Sequence, residues 1–411
     1  MIRLLLGYGG IEGIAKAFNI MLSLTLAAVL SVSDYGIVAT LIAIELVITE
    51  ILLLGQNSFI LRFFRISELA KFKKNYIASK YIILVAVMLL LFAVALFPMK
   101  YFLSESKPEI KVSILLLIFG TYIQANVILY LMYLRSIEKI RYYGVLRVGG
   151  QVIKFFVAVF FIWYNNNGLY YPIGVIISGM LIFSIILCQR TEYWNPTLFV
   201  KGGVEWCIFS ENLKFGLPIA IHGVAGASYS IIDRIFLAQL ADVDAVAIYN
   251  FALIQGTSVF FFINILALTL MPKFYSTDIL GPKSKKYLNQ FLLYSILGMM
   301  ILSILVYYVI FPISLNFVPD RYKSGLNILP IIGLAMMANC ASNYAVYKLT
   351  ALQRVKLLPV ITVLSLCMNA ILNYILIPYF GIIGAAYALL FTEAAYAFAL
   401  NVVASVYLHR S

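Results

Sequence analysis

Charged side chains are scarce in this 411-residue chain: they make up 11% of it, against about 25% in ordinary soluble domains. Hydrophobic residues reach 63%, and the mean hydropathy is +0.98. Such a chain has too few polar groups to cover a water-facing surface, which leaves a polytopic membrane protein as its class. Histidine is nearly absent, and the four cysteines at 188, 207, 340 and 367 show no CxxC spacing. That pattern supports neither a zinc site nor a disulfide framework and makes the cysteines packing residues. No Walker A, HExxH or GxSxG sequence occurs, so an ATPase, a metalloprotease and a serine hydrolase are unsupported. The net charge of +13 suggests nucleic acid, but the longest polar stretch, residues 189–214, is too short for a domain that would bind it. No nucleic-acid partner is expected, and the charge reports topology instead.

What the chain does have is an internal echo. Residues 120–126 read GTYIQAN, and residues 333–339 read GLAMMAN, both inside apolar runs. The same offset pairs Gly13 with Gly226, Ala39 with Ala252, Lys73 with Lys286, Arg141 with Arg354 and Gly168 with Gly381. A colinear series of this kind indicates duplication, and a duplicated apolar chain is the pattern of a secondary transporter working between two halves.

A bilayer core of roughly 30 Å takes about 20 helical residues. On that ruler twelve spans are expected, at 7–31, 36–60, 76–97, 112–134, 145–164 and 171–188, then 215–239, 245–271, 288–311, 326–348, 357–377 and 382–408. An even number per half makes the repeats parallel. The expected division is an N-terminal six-helix lobe (1–190), a cytoplasmic interfacial linker (191–214) and a C-terminal six-helix lobe (215–411). Arg3 before the apolar run 17–30 could pass for a secretory signal, but Glu12 and Lys16 stand between the two and Gly13 matches Gly226, so this segment is expected to be the first span. Lys and Arg concentrate in alternate connections; the others hold only Lys100, Lys107, Lys111, Arg321 and Lys323. Both termini are therefore expected in the cytoplasm. RFFRISELAKFKK (62–74) and the linker with Trp194, Pro196 and Trp206 read as interfacial anchors, open to membrane lipids.

Four passages carry a family resemblance. They are SVSDYGIVAT (31–40) with LGQNSFILRFF (54–64); FGLPIAIHGVAGASYSIIDRIFLAQL (215–240) with VAIYNFA (246–252); RYKSGLNILPIIGLA (321–335); and NAILNYILIPYFGIIGAAYALLFTE (369–393). In this order and spacing the chain resembles the polysaccharide repeat-unit (O-antigen or capsule) flippases of the multidrug/oligosaccharidyl-lipid/polysaccharide (MOP) exporter superfamily. The resemblance implies an all-α fold of twelve transmembrane helices in two pseudo-symmetric parallel lobes, V-shaped and MATE-like, alternating between inward-open and outward-open states. It also implies the substrate, an undecaprenyl-pyrophosphate-linked oligosaccharide carried from the cytoplasmic to the periplasmic leaflet of a bacterial inner membrane, beside a polysaccharide polymerase and chain-length machinery. Peptidoglycan-precursor flippases of the superfamily typically have fourteen helices; room for twelve favours the O-antigen or capsule branch.

A charge inside a span costs about 2.5 to 3.5 kcal/mol at the bilayer centre, so each such residue needs a partner or a wet cavity. Lys16, Lys154, Arg234 and Arg62 are candidates to hold an anionic pyrophosphate-sugar headgroup. Lys16 and Glu45 reach similar depth, which allows them to face each other, and Glu12, one turn from Lys16, offers an intrahelical pair instead. The bland alternatives are a neutralised Lys16, a Lys154 that snorkels to the inner surface, and an Asp233–Arg234 pair that caps a helix end. No cofactor is expected, but a coupling H+ or Na+ would need a carboxylate such as Glu45, Glu393, Asp233 or Glu12. His222, placed near the inner end of the seventh span, reads as packing. Asn126 and Asn339, from the duplicated motif, line a cavity or bond between helices.

Two other classes compete. A membrane polysaccharide polymerase needs acid, base or phosphate-binding residues in a sizeable outer loop, and 98–111 and 312–325 are short and lack histidine. A cation-coupled multidrug antiporter of the same superfamily would favour an acidic cavity, against which Lys16 and Lys154 count.

Overall fold

Apolar chain in a bilayer must satisfy every backbone N–H and C=O internally, which restricts it to helices or closed barrels. The computed structural model describes residues 2–63, 69–96, 108–188, 205–258, 282–305, 320–351 and 357–409, together with residue 266. Among these, all regular structure is helical: α1 (Ile2–Val29), α2 (Val32–Leu53), α3 (Gln56–Phe63), α4 (Leu69–Leu96), α5 (Pro108–Ser136), α6 (Ile140–Asn165), α7 (Tyr171–Cys188), α8 (Trp206–Leu240), α9 (Val243–Ser258), α10 (Pro282–Leu305), α11 (Lys323–Leu326), α12 (Leu329–Ala351), α13 (Leu358–Phe380) and α14 (Ile382–His409). Ten of them, α1, α2, α4 to α8 and α12 to α14, are long and apolar enough to cross a membrane. The protein is an all-α, multi-pass membrane protein. Helices α9 and α10 stand where the eighth and ninth spans are expected, and the rest of those two spans lies outside the described residues. Phe160, Trp163, Tyr164, Tyr379 and Phe398 are exposed, as hydrocarbon-facing side chains are.

Helix starts follow from short capping sequences. Ser31 accepts the Asp34 amide at 3.1 Å and donates to its carboxylate at 2.6 Å, opening α2. Asp242 accepts the Ala245 amide at 2.5 Å, opening α9 at the matching place in the second half.

The described residues pack as two compact units, Ile37–Ser228 and Met1–Gly36 with Tyr229–Ser411. In the first, α5 and α6 lie on α7, and α3 and α4 on α5. In the second, α12 and α13 lie on α14, α9 and α10 on α12, and α1 on α9. The fourth expected span thus packs on the sixth as the tenth packs on the twelfth. The glycine of GTYIQAN shows why that motif is restricted: a Cβ on Gly120 would stand 2.9 Å from the Ile176 Cγ1 of α7.

Three expectations about element bounds are corrected. The second span is not one helix over 36–60: α2 ends at Leu53, Leu54 and Gly55 turn left-handed (φ +42° and +71°), and α3 resumes at Gln56. The seventh does not begin at 215, since α8 starts at Trp206 and takes up the end of the expected linker. His222 consequently lies in the middle of α8 and not near its end. Trp194, Pro196 and the aromatic-cation stretch over 64–68 lie outside the described residues.

Candidate functional site

In the Ile37–Ser228 unit, α2, α6 and α7 meet at a buried ion pair. The Lys154 ammonium donates to both carboxylate oxygens of Glu45, at 2.8 and 2.9 Å, and the Tyr171 hydroxyl donates to Glu45 Oε2 at 2.5 Å. Lys154 also lies over the Tyr171 ring, 5.2 Å from its centroid. Both charged residues are 8% exposed. Two of the open alternatives are narrowed here. Lys154 does not snorkel to the surface, and Glu45, which depth alone allows to face Lys16, is engaged by Lys154. Tyr171 was missed by sequence reasoning, because a tyrosine at a helix start in an apolar run gives no sign of the charge it will meet.

At the junction of α2 and α3 the same unit holds an uncharged polar knot. Gln56 Nε2 donates to the carbonyls of Leu54 (3.2 Å) and Asn212 (3.3 Å). Asn212 Nδ2 donates to the Asn75 carbonyl at 2.9 Å, and the Ser79 hydroxyl donates to Gln56 Oε1 at 2.8 Å. The four residues, on α3, α4 and α8, are 0 to 3% exposed. They meet because two backbones cross without side chains: a Cβ on Gly216 would lie 2.2 Å from the Leu54 carbonyl oxygen, and one on Gly55 2.5 Å from that of Gly216. Arg62 stands in α3 with its side chain outside the described residues.

In the other unit, α8, α9 and α13 meet at Asp233. Its carboxylate accepts the Tyr249 hydroxyl and the Asn373 amide, each at 2.7 Å, and Asn373 also donates to Asn369 Oδ1 at 3.0 Å. The Arg234 guanidinium donates to Asn250 Oδ1, and Asn250 donates to the Tyr35 hydroxyl at 3.2 Å. Asp233 is 1% and Arg234 5% exposed, seven and six residues inside the end of α8 at Leu240, so the pair does not cap a helix end. Asn369 and Asn373, one turn apart in an apolar helix, carried a readable signal; Tyr249 did not. A turn of α12 and α14 completes the set: Asn339 donates to Glu393 Oε2 at 2.9 Å, and Asn343 donates to Asn339 Oδ1 at 2.9 Å. Its counterpart Asn126 bonds back to the Tyr122 carbonyl of its own helix at 2.9 Å. Lys16 and Glu12 are half-buried on α1, and among the described residues no ion-pair partner reaches the Lys16 ammonium. No group of three or more His, Cys, Asp and Glu converges among the described residues.

Arg321 closes the far end of α1. Its guanidinium donates to the Ala27 carbonyl at 2.7 Å, satisfying one of the orphan acceptors at a helix C-terminus. Beside it Tyr322 is buried between Tyr35 (edge-on, 5.6 Å) and Phe251 (stacked, 4.9 Å).

Residues 8–277 match the family model described as polysaccharide biosynthesis protein. No curated protein matches the chain in sequence. Among solved structures it is similar to an inward-facing multidrug resistance MATE family transporter of the MOP superfamily, with a TM-score of 0.73, 12% identity, and 96% of this chain and 95% of that one covered. An outward-facing structure of such a transporter gives 0.69 at 12% identity over 100% and 95%. A MOP superfamily transporter from Pyrococcus furiosus, described as having a binding pocket of reverse polarity that suggests a different function, gives 0.64 at 11% over 99% and 95%. At these identities the similarity is one of fold, and the fold is that of transporters.

Proposed function

The chain belongs to the polysaccharide biosynthesis protein family, and from that membership and its MATE-like fold we propose that it is a flippase for lipid-linked oligosaccharide repeat units, carried on undecaprenyl pyrophosphate. Transfer would run from the cytoplasmic to the periplasmic leaflet of a bacterial inner membrane by alternating access, with both termini cytoplasmic and a polysaccharide polymerase and chain-length machinery downstream. The observation that carries the substrate assignment is Lys16. A cation half-buried in a span, with no ion-pair partner among the described residues, has its insertion cost offset only by a wet cavity or an anion. A pyrophosphate bridge supplies that anion. An antiporter for cationic drugs is the weaker reading, since the most buried carboxylate of α2, Glu45, has both oxygens engaged by Lys154.

The test is complementation of a strain lacking its own repeat-unit flippase, supplied with this chain's native glycan pathway. Surface polysaccharide should be restored by the wild type and lost with Lys16→Ala at equal membrane abundance. Lipid-linked repeats that accumulate inside despite good expression of the wild type would favour the multidrug antiporter.

For coupling, Asp233 and Glu393 take precedence over Glu45 and Glu12. Their oxygens accept from neutral donors, Tyr249, Asn373 and Asn339, whereas both oxygens of Glu45 are held by the Lys154 ammonium, which a bound H+ or Na+ would have to displace. Asp233→Asn should therefore leave transport insensitive to imposed pH and sodium gradients. Vesicle uptake measured with and without each gradient checks this, and an unchanged gradient response in the variant removes Asp233 from the role.

A further inference from the structure

Helix α1 and the first turn of α2 come from the first half of the duplicated sequence, yet they pack with the second half, in the unit of Met1–Gly36 and Tyr229–Ser411. A cluster of contacts over residues 23–36 ties them there. The Arg321 guanidinium donates to the Ala27 carbonyl at 2.7 Å and reaches that of Ala28 at 3.4 Å. Asn250 of α9 donates to the Tyr35 hydroxyl at 3.2 Å, and that hydroxyl meets Ser23 Oγ of α1 at 2.5 Å. Tyr322, at the end of the 3-10 turn Asp320–Tyr322, fills the space between the rings of Tyr35 and Phe251. Two glycines seat the cluster on α9: a Cβ on Gly36 would lie 2.7 Å from the Val243 carbonyl oxygen, and one on Gly325 2.8 Å from that of Ile248.

We propose that Arg321 and Tyr322 are a reversible latch, which holds the C-terminal end of α1 and the first turn of α2 on α9 in one state of the transport cycle and releases them in another. Two opposed features support it. The Arg321 bond is cheap to exchange, because the residue is exposed and water replaces the carbonyl when the guanidinium lets go. Tyr322 acts in the other direction. Its side chain is fully buried, and its hydroxyl has no hydrogen-bond partner among the described residues. An unmet hydroxyl is a standing cost of the closed cluster, and that cost disappears when Tyr322 reaches water. Ring contacts and the Arg321 bond thus hold the cluster shut against a built-in opposing term, which is the condition for a two-state element. Phenylalanine would make the same ring contacts without that term, and this sets the latch apart from a static helix cap. The chain leaves this unit between Gly36 and Ile37, so the latch fastens α2 directly before it crosses to the other unit. The latch rests on the transporter fold and is independent of what is transported.

The experiment is thiol labelling of the purified full chain in a non-ionic detergent, with Cys188→Ser, Cys207→Ser and Cys367→Ser to remove the exposed thiols and Ser23→Cys as the reporter. Position 23 is buried one turn before Ala27, and the native Cys340, buried on α12, is kept as the control for general loosening. A charged methanethiosulfonate is added, and mass spectrometry follows each site. Arg321→Met, which keeps the side-chain stem and removes the donors, should speed labelling at position 23 about tenfold. Tyr322→Phe, which keeps the ring and removes the unmet hydroxyl, should slow it by about threefold or more. Labelling of Cys340 should hold constant in both. An unchanged rate at position 23 in either variant, a faster rate in both, or a rise at Cys340 in step with position 23 would overturn the latch. Since no substrate is present, opposite shifts in the two variants would leave the latch standing even where the complementation test fails, and that failure would refute the flippase function alone.

Discussion

Lys154→Met alone should destabilise the purified protein by about 3–5 kcal/mol, and adding Glu45→Gln should return most of that loss. The single change leaves the Glu45 carboxylate buried with only the Tyr171 hydroxyl against it. An ionised group stranded in a low-dielectric interior costs far more than the intact pair contributes. The double variant removes both charges and keeps similar volumes, so Tyr171 can donate to a neutral amide oxygen. Unfolding of the three proteins in one detergent reads the difference. A single variant as stable as the double would show that water reaches Glu45 and that the pair is not buried in the working protein.

Gly216→Ala should be at least as damaging, on the order of 3 kcal/mol or more, from one methyl group. The new Cβ would stand 2.2 Å from the Leu54 carbonyl oxygen and 2.7 Å from Gln56 Nε2. The first is backbone held in a left-handed turn, and the second is fixed by two hydrogen bonds, so neither can give way cheaply. Relief would require α8 to move off the α2–α3 junction and break the knot of Gln56, Asn75, Ser79 and Asn212. Gly226→Ala, ten residues along the same helix, is the control. Nothing lies within 4 Å of its Cβ position, and alanine is the better helix former by about 0.5–1 kcal/mol. The yield of folded, monodisperse protein and its thermal midpoint should fall for the first and hold or rise for the second. Equal behaviour of the two would mean that the crossing at Gly216 is looser than its geometry.

Most of the helical frame was legible, because span length and apolar runs are local properties. Helix α7 begins and ends at Tyr171 and Cys188, the expected bounds, since the residues before it are polar and Gly168 precedes the run. The break at Gly55 was missed. Gly55 with the polar Gln56, Asn57 and Ser58 is a breaker signal that the length of the expected span overrode, and the close approach at the turn is to a glycine 161 positions later in the sequence. The buried charges were legible as a set, because a charge in a span is conspicuous, but their pairing was not. Depth along two helices allowed Glu45 to meet Lys16; only the rotation of α2 and α6 about their axes selects Lys154. Neutral partners such as Tyr171, Tyr249 and Asn75 have no such visibility, since tyrosine and asparagine also serve at helix ends and in packing.

Helix α8 runs for 35 residues, about 52 Å, which exceeds a hydrocarbon core of roughly 30 Å by four turns. Its first turn carries Trp206, 78% exposed and stacked on Phe209 at 5.5 Å, a pair suited to the headgroup level. An end held at that level favours tilting over sliding along the axis when the bilayer thins or thickens. Acyl-chain length should therefore act on this part of the protein: vesicles of shorter or longer lipids are expected to change the tilt of the first turns of α8, which carry Trp206 and Gly216.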